Sequence, residues 1–219
     1  KLQVDGLQVE VPAGATLLDA VRAAGLALPA LCHDDRLTTV ASCRTCLVEI
    51  TGRGQAAACS TPAEDGWRIA VQASREIRRD ALQAIVAGLP PRALDVPADR
   101  SELARQCADY GVTAPAGSVV PPERGTDHSH PYVKLDRDLC IACGRCVRAC
   151  AEIQGTFALT LVGRGARTVV APGTGGPWAE SDCVSCGACV DTCPTGALSE
   201  PGLLNLLPIE RQTTTTCGY

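Results

Sequence analysis

The sequence predicts an α+β chain: a small sheet-and-helix unit, a helical connector, and then a cysteine-rich unit. Three observations carry that prediction. Residues 2–11, LQVDGLQVEV, alternate about Asp5-Gly6, and a helical pattern follows directly at 16–25. Cysteines fall in tight groups, four from Cys32 to Cys59 and eight from Cys140 to Cys193. Between the groups, helix-like stretches give way to a segment from Val112 to Pro131 that is rich in Pro, Gly and Ser.

The alternating run reads as a hairpin with a two-residue turn. Pro12 to Ala15 turns the chain, and Thr16 is placed to cap a helix, with Asp19 three residues on as a capping-box partner. The helix TLLDAVRAAG buries Leu17, Leu18 and Val21 and ends at Gly25. A hairpin followed by a helix predicts a β-grasp fold for residues 1–76, closed by a strand over Trp67 to Gln72. Ser74 is expected to cap a second helix through about Gly88. That helix opens a connector over 77–135, with a further helix at 101–110. Val112 to Pro131 reads as a linker, so His128 and His130 are expected to face solvent. Phe157 to Val162 and Arg167 to Val170 predict a hairpin about Gly163-Arg164-Gly165, separating the two halves of a unit spanning 136–200.

The eight downstream cysteines read C-x2-C-x2-C-x3-C at Cys140, Cys143, Cys146 and Cys150. The run repeats at Cys183, Cys186, Cys189 and Cys193, closed by Pro194. Structural zinc sites, the rival reading, use paired C-x-x-C knuckles on a longer loop. The doubled run resembles that of bacterial ferredoxins, which hold two cubane iron–sulfur clusters and cross the fourth cysteine of each run to the other cluster. The resemblance implies one 4Fe-4S cluster on Cys140, Cys143, Cys146 and Cys193. It implies a second on Cys183, Cys186, Cys189 and Cys150. Residues 136–200 are thus expected to form a bacterial-type two-cluster 4Fe-4S ferredoxin domain. Arg145 and Arg148 lie inside the first run. They form either a solvated helix face or a positive charge tuning a nearby cluster, and the sequence leaves both open.

The upstream group is spaced C-x10-C-x2-C-x12-C at Cys32, Cys43, Cys46 and Cys59. Plant-type 2Fe-2S ferredoxins also place thiolates on one loop plus a distant fourth ligand, at a different spacing. Taken alone, Cys43 and Cys46 could be a thiol redox pair. The surrounding text is Pro29-Ala30-Leu31-Cys32-His33, Ser42-Cys43-Arg44-Thr45-Cys46 and Ala58-Cys59-Ser60-Thr61-Pro62. It resembles the amino-terminal 2Fe-2S domain of the complex I large iron–sulfur subunit, of iron-only hydrogenases and of NAD-dependent formate dehydrogenases. The resemblance implies a 2Fe-2S cluster on these four thiolates within the β-grasp unit. Small residues beside the thiolates let backbone N–H groups reach the sulfurs and raise the potential.

Residues 89–135 depart from those families, which carry there a 4Fe-4S cluster held by one histidine and three cysteines. The matching positions here are Arg92, Val96, Asp99 and Ser101 or Arg105, so that cluster is expected to be absent. Cys107 is expected to be an ordinary buried thiol. Residues 201–219 read as a linker and the start of a further domain. In molybdopterin-family formate dehydrogenases, text similar to Thr216-Cys217-Gly218-Tyr219 precedes more cysteines, which makes Cys217 a possible first ligand of another 4Fe-4S cluster.

Composition narrows the classes. The 219 residues hold 14 Cys but only 2 Trp, 3 Tyr and 1 Phe, so bound metal is expected to supply much of the folding free energy. Disulfides are the other use of many cysteines, but grouped, ligand-like thiols imply a reducing compartment. The net charge of −4, with Lys and Arg scattered, gives no nucleic-acid face. No apolar run approaches membrane-spanning length. The chain opens on Lys1 rather than Met, so a segment is expected upstream. No side chain is placed as an acid, base or nucleophile, so no catalytic residue is expected.

Over nearly its whole length the chain resembles the amino-terminal iron–sulfur region of the catalytic (alpha) subunit of a molybdopterin-dependent, NAD-dependent formate dehydrogenase. That implies a cytoplasmic oxidoreductase in which these residues carry only electron transfer. It also implies a Mo or W bis-pterin cofactor in a molybdopterin catalytic domain, and diaphorase partner subunits binding FMN and NAD. Two alternatives stand beside it. One is the iron–sulfur subunit of the diaphorase part of an NAD-reducing hydrogenase. The other is a zinc or iron–sulfur regulatory protein.

Overall fold

The computed structural model describes residues 1–114, 123–173 and 175–201. Cys217 and the tail reading attached to it lie outside the described residues, as do 115–122 of the predicted linker.

The first unit is the expected sheet crossed by a helix. Strands β1 (Leu2–Val4) and β2 (Leu7–Val9) pair antiparallel, Leu2 opposite Val9 and Val4 opposite Leu7. Asp5 and Gly6 between them both take left-handed backbone, φ 45° and 86°, as a two-residue turn matched to strand twist requires. With β3 (Leu47–Ile50), β4 (Gly54–Ala57) and β5 (Arg68–Ala70) the sheet order is β2-β1-β5-β3-β4, and only β1 and β5 run parallel. Helix α1 (Leu17–Ala23) carries the capping box: the Asp19 N–H donates to Thr16 Oγ1 at 3.2 Å, and the Thr16 N–H to Asp19 Oδ2 at 2.7 Å. Leu17, Leu18 and Val21 pack on Val4, Val48 and Ile69.

Helix α2 (Arg75–Ala87) begins after Ser74, but Ser74 does not cap it. A 3-10 turn over Gln72–Ser74 feeds straight into the helix, so the Arg75 N–H already donates to the Gln72 carbonyl. The Ser74 hydroxyl donates to Gln55 Oε1 instead. Arg78, Leu82 and Val86 form the buried face of α2, the i, i+4, i+8 stripe of an amphipathic helix. Arg78 is 1 % exposed and ties three elements together. Its Nε donates to the Tyr110 hydroxyl at 2.8 Å and a terminal nitrogen to the Leu47 carbonyl at 2.7 Å. Helix α3 (Glu102–Tyr110) forms as expected, capped by Ser101 and ended by left-handed Gly111.

The second unit has a three-stranded sheet of β6 (Thr126–Asp127), β7 (Lys134–Asp136) and β10 (Leu198–Ser199), and a hairpin of β8 (Leu159–Val162) and β9 (Val169–Pro172). Its helices are α4 (Arg145–Arg148), continued by a π-helical turn over Ala149–Gln154, and α5 (Ala188–Asp191). The hairpin starts two residues later than expected, because Phe157 takes φ 55° and stays exposed. At its turn, Gly163 has φ 84°, and a Cβ there would lie 2.4 Å from the Arg167 carbonyl oxygen.

Two readings of the linker are corrected. Thr126–Asp127 is a strand, held because the Arg137 N–H donates to the Gly125 carbonyl and Arg124 donates to the Asp138 and Cys140 carbonyls. His130 is buried, not solvent-facing, because its Nδ1 accepts the Tyr132 and Val133 N–H groups at 3.1 and 3.0 Å. Its ring lies against Trp178. His128 is exposed as expected. Leu82, Leu103, Leu135, Trp178 and Leu198 share one apolar core, so the connector is fused to the second unit. Leu31 of the first unit joins that core, and Cys43 packs against it. No described helix is long and apolar enough to cross a membrane.

Candidate metal centres

The loop between α1 and β3 carries Cys32, Cys43 and Cys46, and Cys59 follows β4. Ala41 and Arg44 take left-handed backbone at φ 51° and 60°, turning the loop twice around its sulfurs. Cys32, Cys46 and Cys59 are almost fully buried. Thr45 is fully buried and holds the loop, accepting the Leu31 N–H and lying 3.1 Å from Cys43 Sγ. The thiols of this loop act on one another, Cys43 and Cys59 on Cys32, and Cys59 on Cys46. Bonds from Cys43 and Cys59 hold the Cys32 thiol far below its ordinary range, while Cys43 and Cys59 are pushed up. A bond from Cys59 brings Cys46 down to about 7. Cys32 and Cys46 are thereby favoured as thiolates, the donor form an iron core takes.

The eight downstream thiols wall two cavities. One is lined by Cys140, Cys143, Cys146 and Cys193. The other is lined by Cys183, Cys186, Cys189 and Cys150. Apart from sulfur both walls are almost wholly apolar. The last cysteine of each run thus stands with the other run.

The two loops repeat one conformation. Ala142 and Ser185 have φ 52° and 59°, and Gly144 and Gly187 have φ 71° and 76°. The Ala142 N–H points to Cys140 Sγ at 3.3 Å and the Ser185 N–H to Cys183 Sγ at 3.5 Å. Backbone N–H groups on sulfur favour the thiolate and raise the potential of an attached cluster. Burial pushes Cys143 and Cys189 up to about 12 and Cys146 well above the ordinary thiol range. Dry thiols of this kind ionise on binding a cationic core. No three His, Cys, Asp or Glu among the described residues converge as ligands of a single ion. Four sulfurs around each cavity are the donor set a cubane would take. No disulfide links the described cysteines.

Arg145 and Arg148 are neither a solvated face nor merely nearby charge. Arg145 is 4 % exposed. It grips Glu102 with two bonds of 2.7 and 3.1 Å and donates to the Ala30 and Thr192 carbonyls. Arg148 donates to the Cys32 carbonyl at 2.7 Å, to the Cys143 carbonyl at 3.4 Å and to the Thr38 carbonyl. One guanidinium therefore spans the upstream thiol loop and the Cys140 run. Thr192 Oγ1 on Asp34 and the Thr38 N–H on Glu152 close the same seam.

The positions where a histidine-ligated cluster is expected to be absent, Arg92, Val96, Asp99 and Ser101 or Arg105, make the following contacts. Arg92 pairs with Asp136 at 2.7 Å and Asp138 at 3.1 Å. Val96 lies against Gly196, Ser101 caps α3, Asp99 is exposed, and Arg105 donates to the Ala98 carbonyl. Cys107 is buried on α3, which pushes its thiol up to about 11, and it lines neither cavity. Sequence reasoning missed Trp178, Ser185 and Arg124 beside the downstream sites. Their partners are 14 to 55 residues away in the chain, where no local pattern reaches.

Fold and thiol sets together define an iron–sulfur electron-transfer protein with a 2Fe-2S domain followed by a 4Fe-4S ferredoxin-like domain. A family model described as a 2Fe-2S iron-sulfur cluster binding domain matches residues 1–74. One described as NADH-quinone oxidoreductase subunit 3, ferredoxin-like domain, matches 130–199. The chain is 36% identical over 210 residues to an NADH-quinone oxidoreductase subunit of Rhizobium meliloti, covering 90% of this chain and 24% of that protein. It is 31% identical over 204 residues to NADPH-Fe(3+) oxidoreductase subunit alpha of Geobacter sulfurreducens, again covering 90% and 24%. It is 32% identical over 214 residues to NADP-reducing hydrogenase subunit HndD of Solidesulfovibrio fructosivorans, covering 91% and 36%. The chain thus spans about a quarter to a third of these curated relatives. A chain in the crystal structure of an NAD+-reducing [NiFe]-hydrogenase in the H2-reduced state superposes with a TM-score of 0.83 at 29% identity, covering 96% of this chain and 91% of that one.

Proposed function

We propose that this chain is the electron-transfer module of an NAD-linked formate dehydrogenase, working between a molybdopterin (Mo or W) site and a flavin- and NAD-binding partner. The observation that carries the electron-transfer reading is the sorting of eight thiols into two four-sulfur cavities beside a third four-thiol loop. Cys32, Cys43, Cys46 and Cys59 would hold a 2Fe-2S cluster. Cys140, Cys143, Cys146 and Cys193 would hold one 4Fe-4S cluster, and Cys183, Cys186, Cys189 and Cys150 the other. When bound, the clusters supply one-electron relays. The protein's part is to hold them, keep water out and fix their spacing. The apolar cavity walls exclude water, backbone N–H groups donate to the sulfurs, and Arg148 ties the upstream loop to the Cys140 run. The formate assignment rests on the family-like text around Cys217 and on the missing histidine-ligated site.

A second reading, the iron–sulfur subunit of the diaphorase part of an NAD-reducing hydrogenase, is favoured by one observation: the match across 91% of the hydrogenase chain. The remaining class is a zinc or iron–sulfur regulatory protein. The test is anaerobic isolation of the native complex, with metal analysis and NAD+ reduction assayed with formate and with H2. Formate-driven reduction with Mo or W supports the first reading, and H2-driven reduction with Ni moves it to the second. Clusters that NADH does not reduce, in a complex active with neither donor, overturn both.

A further inference from the structure

We infer that Trp178 is a ligand-sphere donor whose indole N–H hydrogen-bonds sulfur in the cavity of Cys150, Cys183, Cys186 and Cys189 and raises that site's reduction potential. The inference rests on the cluster ligation proposed above and deepens it. Trp178 lines this cavity and is 1 % exposed. Its indole Nε1 is buried and meets no acceptor in the protein. An indole nitrogen can only donate, and a buried donor left unmatched costs about 1–3 kcal/mol. The backbone of Trp178 is held at both its polar groups, and its ring is packed against a second ring. The Trp178 N–H donates to Asp127 Oδ2 at 3.1 Å, its carbonyl accepts the Ser181 hydroxyl at 2.6 Å, and the His130 ring lies 5.6 Å away, centroid to centroid. Beside Trp178 in that wall stand four cysteine sulfurs and the Ser185 and Thr156 hydroxyls, which already pair with His130 and Cys150, so sulfur is the acceptor left for the indole. Among the described residues the Cys140 cavity has no counterpart, since none of their buried unpaired polar atoms belongs to its wall. An N–H on sulfur stabilises the more negative, reduced state, so the two otherwise similar sites are tuned differently.

The test is an EPR-monitored redox titration of the cluster-loaded protein in its native complex, the relevant signal being identified by its loss in Cys186→Ala. In Trp178→Phe the reduction equilibrium of that site should fall about tenfold, or about 59 mV for a one-electron couple. The 2Fe-2S signal and that of the Cys140 site should stay put. An unmoved potential with full iron content overturns the inference. Should Trp178→Phe fail to fold, wild-type protein labelled with 15N-indole tryptophan gives a second readout. A 15N coupling to the reduced site in pulsed EPR, retained in Trp67→Phe, supports the bond, and its absence overturns it. If the wild type lacks the signal altogether, the ligation reading fails and the inference falls with it. A signal that is present but indifferent to Trp178 removes the inference alone.

Discussion

Cys150 follows Cys146 by four residues but lines the other cavity. Cys146 sits on α4 and Cys150 in the π-helical turn that continues it, a change of winding that turns the second thiol to the other cavity. Cys189 on α5 and Cys193, past the end of that helix, also divide between the cavities. Cys150→Ala is therefore expected to abolish the cluster signal and iron of the Cys183 site while leaving the Cys140 site loaded, as measured by EPR and iron content. Damage confined to the Cys140 site would reverse the assignment. Arg92 makes a second residue-scale prediction. Burial alone would raise the Asp136 carboxyl, but bonds from Arg92 reverse that and hold it below the usual carboxylate range. A depressed carboxyl stabilises the fold above its unfolded value of about 3.9 and loses that contribution as pH falls through the folded value. Arg92→Ala leaves the burial and removes the partner, so acid unfolding should begin at higher pH. The loss at neutral pH should be small, about 1 kcal/mol, because the arginine is half exposed. An unchanged acid limb in pH-dependent thermal unfolding would count against this.

At the scale of the element, α1 shows what local chemistry settles. Thr16 and Asp19 satisfy each other's backbone N–H groups at a helix of only seven residues, too short to persist without its cap and its buried face. Thr16→Ala should cost about 1 kcal/mol and lower the melting temperature by several degrees without changing cluster content. Calorimetry with parallel iron analysis checks both halves. The Asp5-Gly6 turn and this capping box were legible in the sequence because every group involved lies within a few residues. Ser74 was misread for the opposite reason. Its hydroxyl answers to Gln55, which lies 19 residues upstream and is brought close only by the sheet.

At the scale of the molecule, the seam between the two units decides whether an electron can cross. Arg148 contacts the carbonyls of Cys32 and Cys143, two cysteines from different thiol sets. If the histidine-ligated site is absent, as expected, this seam offers the direct contact between the two thiol regions. Reduction of the native complex by NADH, followed by rapid freezing, should show the 2Fe-2S and 4Fe-4S signals appearing together on the turnover timescale. Arg148→Ala should retain the clusters, make the 4Fe-4S signals lag the 2Fe-2S signal, and cost about 1.5–3 kcal/mol through the lost charge-assisted bonds. Prompt 2Fe-2S reduction in the wild type with no 4Fe-4S reduction would mean the route is cut.

The sequence by itself determined the thiol groups, the Asp5-Gly6 turn and the Thr16 cap, because those depend on residues close enough in the chain for local geometry to fix them. Only the tertiary structure decided the rest: that Arg145 and Arg148 are clamps, that His130 is buried, and that Trp178 faces a sulfur cavity. The physical reason is separation. Arg148 and Cys32 stand 116 residues apart, and a charged side chain carries no mark of whether it will meet water or a distant carbonyl until packing has removed the water.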